Sequence, residues 1–258
     1  MKFENTDVWG FEHALRGMRN PKNSWSRNDT IVAYDDDITD DKHYESCGKN
    51  GMAVYIGDND LQLAQTLIKA GSEHRKFMRQ IFVSVDITAP LYWWKEFDTY
   101  KVGTVANSTS TMHKLASTPI TIDCFETDDY DGSIIVNTIT SPLSYTINNN
   151  IEFLELLRRS NLHYAEAAKR EGITDAERRH FQAVAKRYWK ELIRWLPESW
   201  LQKRTITFSY ENLYSMFRHR QFHKLNEWSG QDNPDLPNFS SWVKTLPYAY
   251  ELILYGIN

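Results

Sequence analysis

Residues 89–112, APLYWWKEFDTYKVGTVANSTSTM, are the stretch of this 258-residue chain that decides its fold. Just before them, a strand with one buried face is predicted at residues 79–88, because apolar and mostly polar side chains alternate from residue 81 onward. The aromatic run that follows predicts a helix over residues 90–101, because proline is tolerated in a first helical turn. A loop dense in small hydroxyl residues comes next. A strand, a buried helix and a polar loop are a common framework for a pocket that binds a phosphorylated ligand.

Helical patterns dominate the rest of the chain. Apolar side chains at helical spacing, with Thr174 as one N-cap, predict helices at residues 60–71, 149–172, 174–195, 209–226 and 242–254. Residues 118–147 hold two β-branched runs separated by the turn DDYDG, which predict either a hairpin or an irregular insertion. The sequence therefore predicts an α+β fold, rich in helices and with a small sheet, in a single domain spanning residues 1–258.

Composition narrows the function classes. Hydrophobic residues make up 41% of the chain, so a sizeable core is expected. The net charge of -4 does not indicate binding of bulk nucleic acid. The two cysteines, Cys47 and Cys124, form no disulfide framework, and the chain has no long apolar run that predicts a membrane span. A reducing, cytoplasmic location is the expectation, and the acidic residues 35–50 are expected to be an exposed loop.

Arg220 is an unusual residue in the predicted helix 209–226. By helical spacing it shares a face with Leu213 and Phe217, so its side chain is expected to point toward the apolar side. A buried guanidinium without a partner costs several kcal/mol. Two explanations remain open: a structural ion pair with Glu96 or Asp98, or an anionic or polar ligand.

The same helix also carries His219 and His223 at a four-residue spacing that is able to bind zinc. The HExxH pattern of zinc peptidases is absent, however, and basic residues such as Arg218 and Lys224 surround the histidines. A histidine-based metal enzyme is therefore the weaker of the alternatives.

Around these positions the chain resembles the flavin-dependent thymidylate synthases. The resemblance covers residues 60–115 and 180–228, and more weakly 14–20, where Arg16 and Arg19 match two family arginines. The family has a strand ending at Ala-Pro, then Arg-Gln and the motif R-H-R-x-x-S-x-N-E-x-S-x-R-Y. With Ala89-Pro90 in register, Glu96 falls on the Gln and residues 99–101 fall on R-H-R.

The resemblance implies a small antiparallel sheet with long helices, FAD as cofactor, and NADPH and methylenetetrahydrofolate as co-substrates. The implied reaction is methylation of dUMP, or of a related pyrimidine nucleotide, at C5. Arg220 falls on the arginine that grips the pyrimidine, which implies a catalytic role in stabilising negative charge on the ring. The implied cofactor-binding residues are Thr99, Tyr100, Lys101, Val102 and Ser209. The implied substrate-binding residues are Glu96, Asn107, Ser108, Thr109, Ser110, Thr111, Arg194 and Arg220.

The chain departs from the family at several charged positions. Thr99 and Thr111 replace arginines, Asn107 replaces a glutamate, and Arg79-Gln80 stands where the family has Glu-His. Each lost charge-assisted phosphate contact costs about 1.5–3 kcal/mol. We therefore expect weak activity on dUMP unless other arginines compensate, the candidates being Arg75, Arg79, Arg194 and Arg218. The alternative is a flavin- or nucleotide-binding protein on the same fold that has lost catalysis.

A homotetramer with shared active sites is also expected. The family builds each site from several subunits. In addition, Trp93 and Trp94 are adjacent in a predicted helix and should face different directions, so that one of them needs a partner outside its own subunit.

Overall fold

The computed structural model describes residues 1–112, 114–134 and 142–257 of the chain. The chain divides into two compact units. The first contains Met1–Thr88, Lys95–Asn107 and Lys203–Asn258, and the second contains Ala89–Trp94 and Ser108–Gln202. The description as a single domain remains a prediction. Within the described ranges, no helix combines the length and the apolar character that a bilayer crossing requires.

The secondary structure mixes short strands with helices of very different length. The strands are β1 (Lys2–Trp9), β2 (Ile31–Tyr34), β3 (Glu45–Ser46), β4 (Met52–Tyr55), β5 (Phe82–Pro90), β6 (Val105–Ser108) and β7 (Leu201–Ser209). The α-helices are α1 (Phe11–Gly17), α2 (Asp58–Lys69), α3 (Leu91–Phe97), α4 (Leu143–Ala167), α5 (Asp175–Arg194), α6 (Tyr210–Arg220), α7 (Asn226–Ser229) and α8 (Phe239–Val243). Short 3₁₀ turns and one π-helical turn, Ala249–Ile253, complete the described structure.

A four-stranded sheet in the order β1-β5-β7-β6 forms the framework of the first unit. Strands β1 and β5 are antiparallel, with Lys2 opposite Thr88. The alternation predicted for β5 is confirmed, since Val83, Val85 and Ile87 are fully buried, but the strand begins at Phe82 and not at residue 79, because Arg75–Gln80 forms a 3₁₀ turn. Pro90 ends this strand instead of starting the following helix, because its fixed φ also suits extended backbone. A second sheet has the order β2-β4-β3.

Three predicted helices are shorter than expected, and the one at residues 242–254 is reduced to the end of α8 at Val243 and the π-helical turn Ala249–Ile253. Helix α3 ends at Phe97, and the hydroxyl of Thr99 donates a 2.7 Å hydrogen bond to the carbonyl of Glu96. Such local bonds from threonine compete with helical hydrogen bonding. Helix α6 ends at Arg220 and not near residue 226, and the chain resumes helical structure only at Asn226. The side chains after Arg220 therefore do not continue the helical face that the sequence predicted.

The second unit contains the long helices α4 and α5. Thr174 caps α5 as predicted, through a reciprocal capping box with Glu177. The apolar cluster of this unit consists of Leu115, Ile120, Phe125, Leu154, Leu157 and Leu192. Residues 118–134 are irregular apart from a 3₁₀ turn at Ile122–Cys124, so this part of the predicted segment forms no hairpin. The rest of its second β-branched run, at 135–141, lies outside the described residues, and α4 begins at Leu143.

The argument from Trp93 and Trp94 to an oligomer is wrong. Their side chains are 0% and 1% exposed within the chain itself. The two rings pack edge to face at 4.8 Å, and Trp94 Nε1 donates to the carbonyl of Gln202 at 3.0 Å. Neither tryptophan therefore requires a second subunit to cover it.

The carboxylate of Glu155, in the second unit, makes the stability of the fold depend on pH in the acid range. It accepts hydrogen bonds from Arg158 Nε at 2.7 Å, Arg158 Nη2 at 2.7 Å and Ile120 N at 2.9 Å. The hydrogen bonds from Arg158 are the main reason that the pKa of Glu155 falls from 4.5 to about 2. Because its folded pKa is below its unfolded pKa, this group contributes stability above pH 4.5, which is lost as the pH falls toward about 2.

Replacing Glu155 with Gln is therefore expected to lower the free energy of unfolding at neutral pH and to flatten its decline in acid. Urea denaturation at a series of pH values measures both effects. The exposed Glu152 of the same helix provides the control Glu152→Gln. If the free energy of unfolding of Glu155→Gln fell with pH as steeply as that of the wild type, the lowered pKa assigned to Glu155 would be contradicted.

Candidate functional site

A cleft of about 620 Å³ opens in the first unit beside the start of α6. It is lined by Arg75, Arg79, Phe82, Thr99, Tyr100, Val102, Gly103, Ser209, Glu211, Asn212 and Ser215. Four of the five residues predicted to bind a cofactor thus surround one cavity. The fifth, Lys101, is exposed on the same turn but is not part of the lining.

The turn at residues 99–104 is attached to the N-terminus of α6 by Asn212. Its side-chain oxygen accepts hydrogen bonds from the backbone and hydroxyl of Ser209, and its Nδ2 donates to the carbonyl of Val102 at 2.8 Å. Gly103 has φ +77°, and a Cβ there would lie 3.1 Å from the Asn212 side chain. The hydroxyl of Ser209, predicted to contact flavin, caps α6. It is 5% exposed, so its contribution to the cleft is mainly structural.

The positive charge of the cleft comes from the 3₁₀ turn Arg75–Gln80. Arg75 is already neutralised, since its Nε lies 2.9 and 3.1 Å from the two carboxylate oxygens of Glu211. The guanidinium of Arg75 also lies 4.2 Å from the ring centre of Tyr214. Arg79 is exposed, and with the described residues its side chain makes only a long hydrogen bond, 3.5 Å from Nη2 to the Ser72 carbonyl. Arg79 is therefore the cation available to an anionic ligand in this cleft.

The aromatic ring of Phe82 lines the same cleft as Arg79. Phe82 is 37% exposed, and its ring stacks on Trp9 at 5.9 Å with 27° between the planes. Exposed rings of this kind can stack on a planar ligand. Sequence reasoning treated Arg79 mainly as the loss of a family acid and did not single out Phe82. In the sequence, Arg79 lies just before β5 and Phe82 is its first residue, and these positions alone do not indicate a cavity.

Arg220 is largely buried, with 14% of its side chain exposed, and it is paired. Its Nη1 lies 2.7 Å from Glu96 Oε2, and its Nε donates to the hydroxyl of Tyr100 at 2.9 Å. Its guanidinium also lies 5.4 and 5.1 Å from the ring centres of Tyr100 and Trp228, within cation–π range. The ion pair with Glu96, one of the two explanations that the sequence left open for Arg220, is therefore present in the structure. Because the Glu96 side chain is 42% exposed, the pair remains open to exchange with a ligand.

Asp98, the other acid considered as a partner for Arg220, pairs with a different arginine. Arg204 Nη1 lies 2.8 Å from Asp98 Oδ1, and the exposures of the two side chains, 13% and 48%, are close to those of the Arg220–Glu96 pair. The Arg204–Asp98 pair is therefore a natural internal control for Arg220–Glu96.

The other predicted substrate-binding residues are distributed over both units. Asn107 belongs to the first unit with Glu96 and Arg220, whereas Ser108, Thr109, Ser110, Thr111 and Arg194 belong to the second. The predicted loop is partly wrong, because Val105–Ser108 forms strand β6 at the edge of the sheet. The carbonyl of Thr109 accepts from Gln202 Nε2 at 2.8 Å, and exposed Arg194 pairs with Glu191 at 2.5 Å.

The histidine-based metal site has no supporting geometry. Because α6 ends at Arg220, His219 and His223 do not share a continuous helical face. The Nδ1 of His223 accepts a hydrogen bond from the backbone of Leu225 at 3.2 Å, and burial lowers the pKa of His223. Across residues 1–112, 114–134 and 142–257, no cluster of three His, Cys, Asp or Glu side chains is arranged to hold a metal ion.

Comparisons with known proteins find a similar fold but no similar sequence. No family model matches the sequence, and no curated protein matches it. Two crystal structures of the flavin-dependent thymidylate synthase ThyX from Helicobacter pylori, each with FAD and dUMP, match 98% of this chain with a TM-score of 0.54. Their identities are 13% and 12%, and 98% and 97% of those chains are covered.

The chain has the fold of the flavin-dependent thymidylate synthases. The predicted α+β class, with long helices and small antiparallel sheets, is confirmed. At this level of identity the match establishes the fold alone, and the chemistry has to be argued from the side chains of this chain.

Proposed function

We propose that this protein is a divergent flavin-dependent thymidylate synthase-like enzyme. It binds FAD and a pyrimidine nucleotide and methylates dUMP, or a closely related nucleotide, at C5 with methylenetetrahydrofolate. The observation that carries the proposal is the cleft beside α6, where Thr99, Tyr100, Val102 and Ser209 meet on a scaffold of this fold. Reaction of dUMP, methylenetetrahydrofolate, FAD and NADPH with the purified protein, followed by product analysis, tests it.

The residues of the cleft fit a flavin nucleotide. Its volume of about 620 Å³ is in the range of cofactor pockets. Arg79 supplies a cation for a phosphate, and Phe82 supplies an exposed ring for a planar group. Lys101, on the neighbouring turn, adds a second positive charge. When bound, FAD reduced by NADPH supplies the electrons of the reaction, and methylenetetrahydrofolate supplies the carbon.

Arg220 is the proposed catalytic residue of this chain. Tyr100 and Trp228 hold its guanidinium, so that the positive charge is in place before a nucleotide binds. A fixed cation stabilises negative charge that develops on a pyrimidine ring. Glu96 acts as the counter-ion in the absence of ligand, and the nucleotide competes with it. Asn107 and the hydroxyl residues 108–111 are the proposed donors to the nucleotide, with Arg194 as a further cation.

Assembly into a homotetramer with shared active sites is part of the proposal. Its support is the resemblance to the family together with the exposed face of α4, where Tyr145, Phe153 and Leu156 are 61%, 46% and 61% exposed. Light scattering tests it, and a monomer of 30.3 kDa would contradict it. A cytoplasmic location is also proposed, since Cys47 and Cys124 are free thiols.

A second candidate function is a flavin- or nucleotide-binding protein without catalysis. The observation that favours it is the Glu96–Arg220 ion pair, which neutralises the proposed catalytic cation at 2.7 Å. Retained flavin with no product in the turnover assay would select this candidate. Product formation would select the enzyme.

Replacing Arg79 with Ala is expected to weaken FAD binding about 10- to 150-fold, because one charge-assisted hydrogen bond contributes about 1.5–3 kcal/mol. Fluorescence titration with FAD measures the affinity. Lys76→Ala is a matched control, since Lys76 is an exposed cation on the same 3₁₀ turn and does not line this cleft. Equal FAD affinities for the two variants would remove Arg79 from the cofactor site.

A further inference from the structure

A second cavity in the first unit, about 550 Å³ in volume, lies between the segment at residues 18–27 and helix α2. Its described lining includes the cationic side chains of Arg19, Lys22 and Arg27 together with His74, and it includes no carboxylate. Arg19 belongs to the weakly similar segment 14–20, but the proposed chemistry gives this cavity no role.

Arg19 is the buried member of the three. Its side chain is 3% exposed, and its Nε donates to Asp60 Oδ1 at 2.6 Å. The other oxygen of Asp60 already accepts four hydrogen bonds, from Asn28 Nδ2 and from Asp29 N, Thr30 N and Thr30 Oγ1. Arg19 Nη2 is buried without a hydrogen-bond partner within the described ranges. A buried donor of this kind is uncommon and requires an explanation.

Lys22 and Arg27 occupy the exposed side of the cavity. They end two successive 3₁₀ turns, Asn20–Lys22 and Trp25–Arg27, which are joined by a 2.8 Å hydrogen bond from Trp25 Nε1 to Asn20 Oδ1. Neither side chain has an acidic partner among the described residues. The hydrogen bond between the two turns therefore fixes the segment that carries these charges, and no carboxylate of the described residues forms an ion pair with Lys22 or Arg27.

The remaining lining suits a ligand that is anionic at one end. Ser24, Gln62 and Thr66 offer hydroxyl and amide groups, while Leu63 and Leu67 on α2 offer an apolar surface. A phosphate monoester carries a charge of about -1.5 to -2 at neutral pH and three acceptor oxygens, which is the complement of several converging cations.

We propose that this cavity binds a small organic phosphate monoester, with Arg19, Lys22 and Arg27 around the phosphate and the α2 surface against the organic group. The site is separate from the flavin cleft, because the two cavities share no lining residue. The proposal is therefore independent of the proposed function.

Calorimetric titration of the full-length protein without added cofactor tests this site, and a double variant confined to this cavity distinguishes it from the flavin cleft. The probes are inorganic phosphate and phenyl phosphate. The double variant Lys22→Gln/Arg27→Gln keeps the buried Arg19–Asp60 pair, so it is expected to fold like the wild type. Its affinity for phenyl phosphate is expected to fall at least tenfold, with an unchanged melting temperature in the absence of ligand.

The control is Arg170→Gln/Arg179→Gln, which removes the same charge from exposed positions of the second unit. It should bind phenyl phosphate like the wild type. Equal losses in both double variants would show a general charge effect and overturn the site. Equal affinity of the wild type for inorganic and phenyl phosphate would overturn the assignment to an organic ester, and no binding of either probe would overturn the whole inference.

Discussion

Replacing Arg220 with Ala is expected to reduce the affinity for dUMP by about 2–4 kcal/mol, or roughly 30- to 1,000-fold. The reason is that the largely buried guanidinium is the cation held next to Tyr100 and Trp228, and its loss removes a charge-assisted contact with the pyrimidine. The protein itself should lose about 1 kcal/mol or less of stability, because its partner Glu96 is 42% exposed. Titration with dUMP and thermal melts measure the two effects.

The Arg204–Asp98 pair provides the control for this experiment. Arg204→Ala removes a cation of similar exposure from the same unit and should leave dUMP affinity unchanged. Glu96→Gln is the companion variant, and it should bind dUMP as well as the wild type or more tightly, because the competing counter-ion is gone. A large loss of stability in Arg220→Ala with an unchanged response to dUMP would show that the pair is purely structural.

Replacing Asp60 with Ala is expected to lower the free energy of unfolding by about 3–5 kcal/mol. The side chain of Asp60 is fully buried and accepts bonds from Arg19, Asn28 and the backbone of Asp29 and Thr30. Its removal leaves the Arg19 guanidinium buried without a counter-charge and several donors unpaired. Urea denaturation of the two proteins at neutral pH measures the difference.

Asp58→Ala is the matched control for this change. Asp58 is exposed in the first turn of the same helix, where a carboxylate contributes about 0.3–1 kcal/mol through the helix dipole. If Asp60→Ala lowered the free energy of unfolding no more than Asp58→Ala, Arg19 would have found another partner or water. The Arg19–Asp60 pair would then not stabilise this part of the fold.

Local patterns were enough to predict much of the fold. The alternation in β5 required only the sequence period of two, and the Thr174 cap of α5 required only a threonine placed before an apolar stripe at helical spacing. Both features depend on neighbours in the sequence. The end of α6 at Arg220 was missed because no glycine or proline marks it and the apolar spacing continues beyond it.

The candidate site was harder to predict because it depends on contacts distant in sequence. Arg79 and Thr99 line one cleft although they are twenty positions apart, and Glu211 neutralises Arg75 across 136 positions. Whether a basic side chain is free or paired therefore cannot be obtained from local sequence. The same limit explains the error about Trp93 and Trp94, since their burial depends on how distant segments pack around the helix.

The absorbance spectrum of the protein, recorded after incubation with FAD and removal of unbound cofactor, tests the central claim most directly. We expect oxidised flavin bands at about 375 and 450 nm that remain with the wild type and are strongly reduced in Arg79→Ala. A wild-type spectrum without flavin bands, under conditions where the protein is folded, would contradict the assignment of the cleft beside α6 as a flavin site.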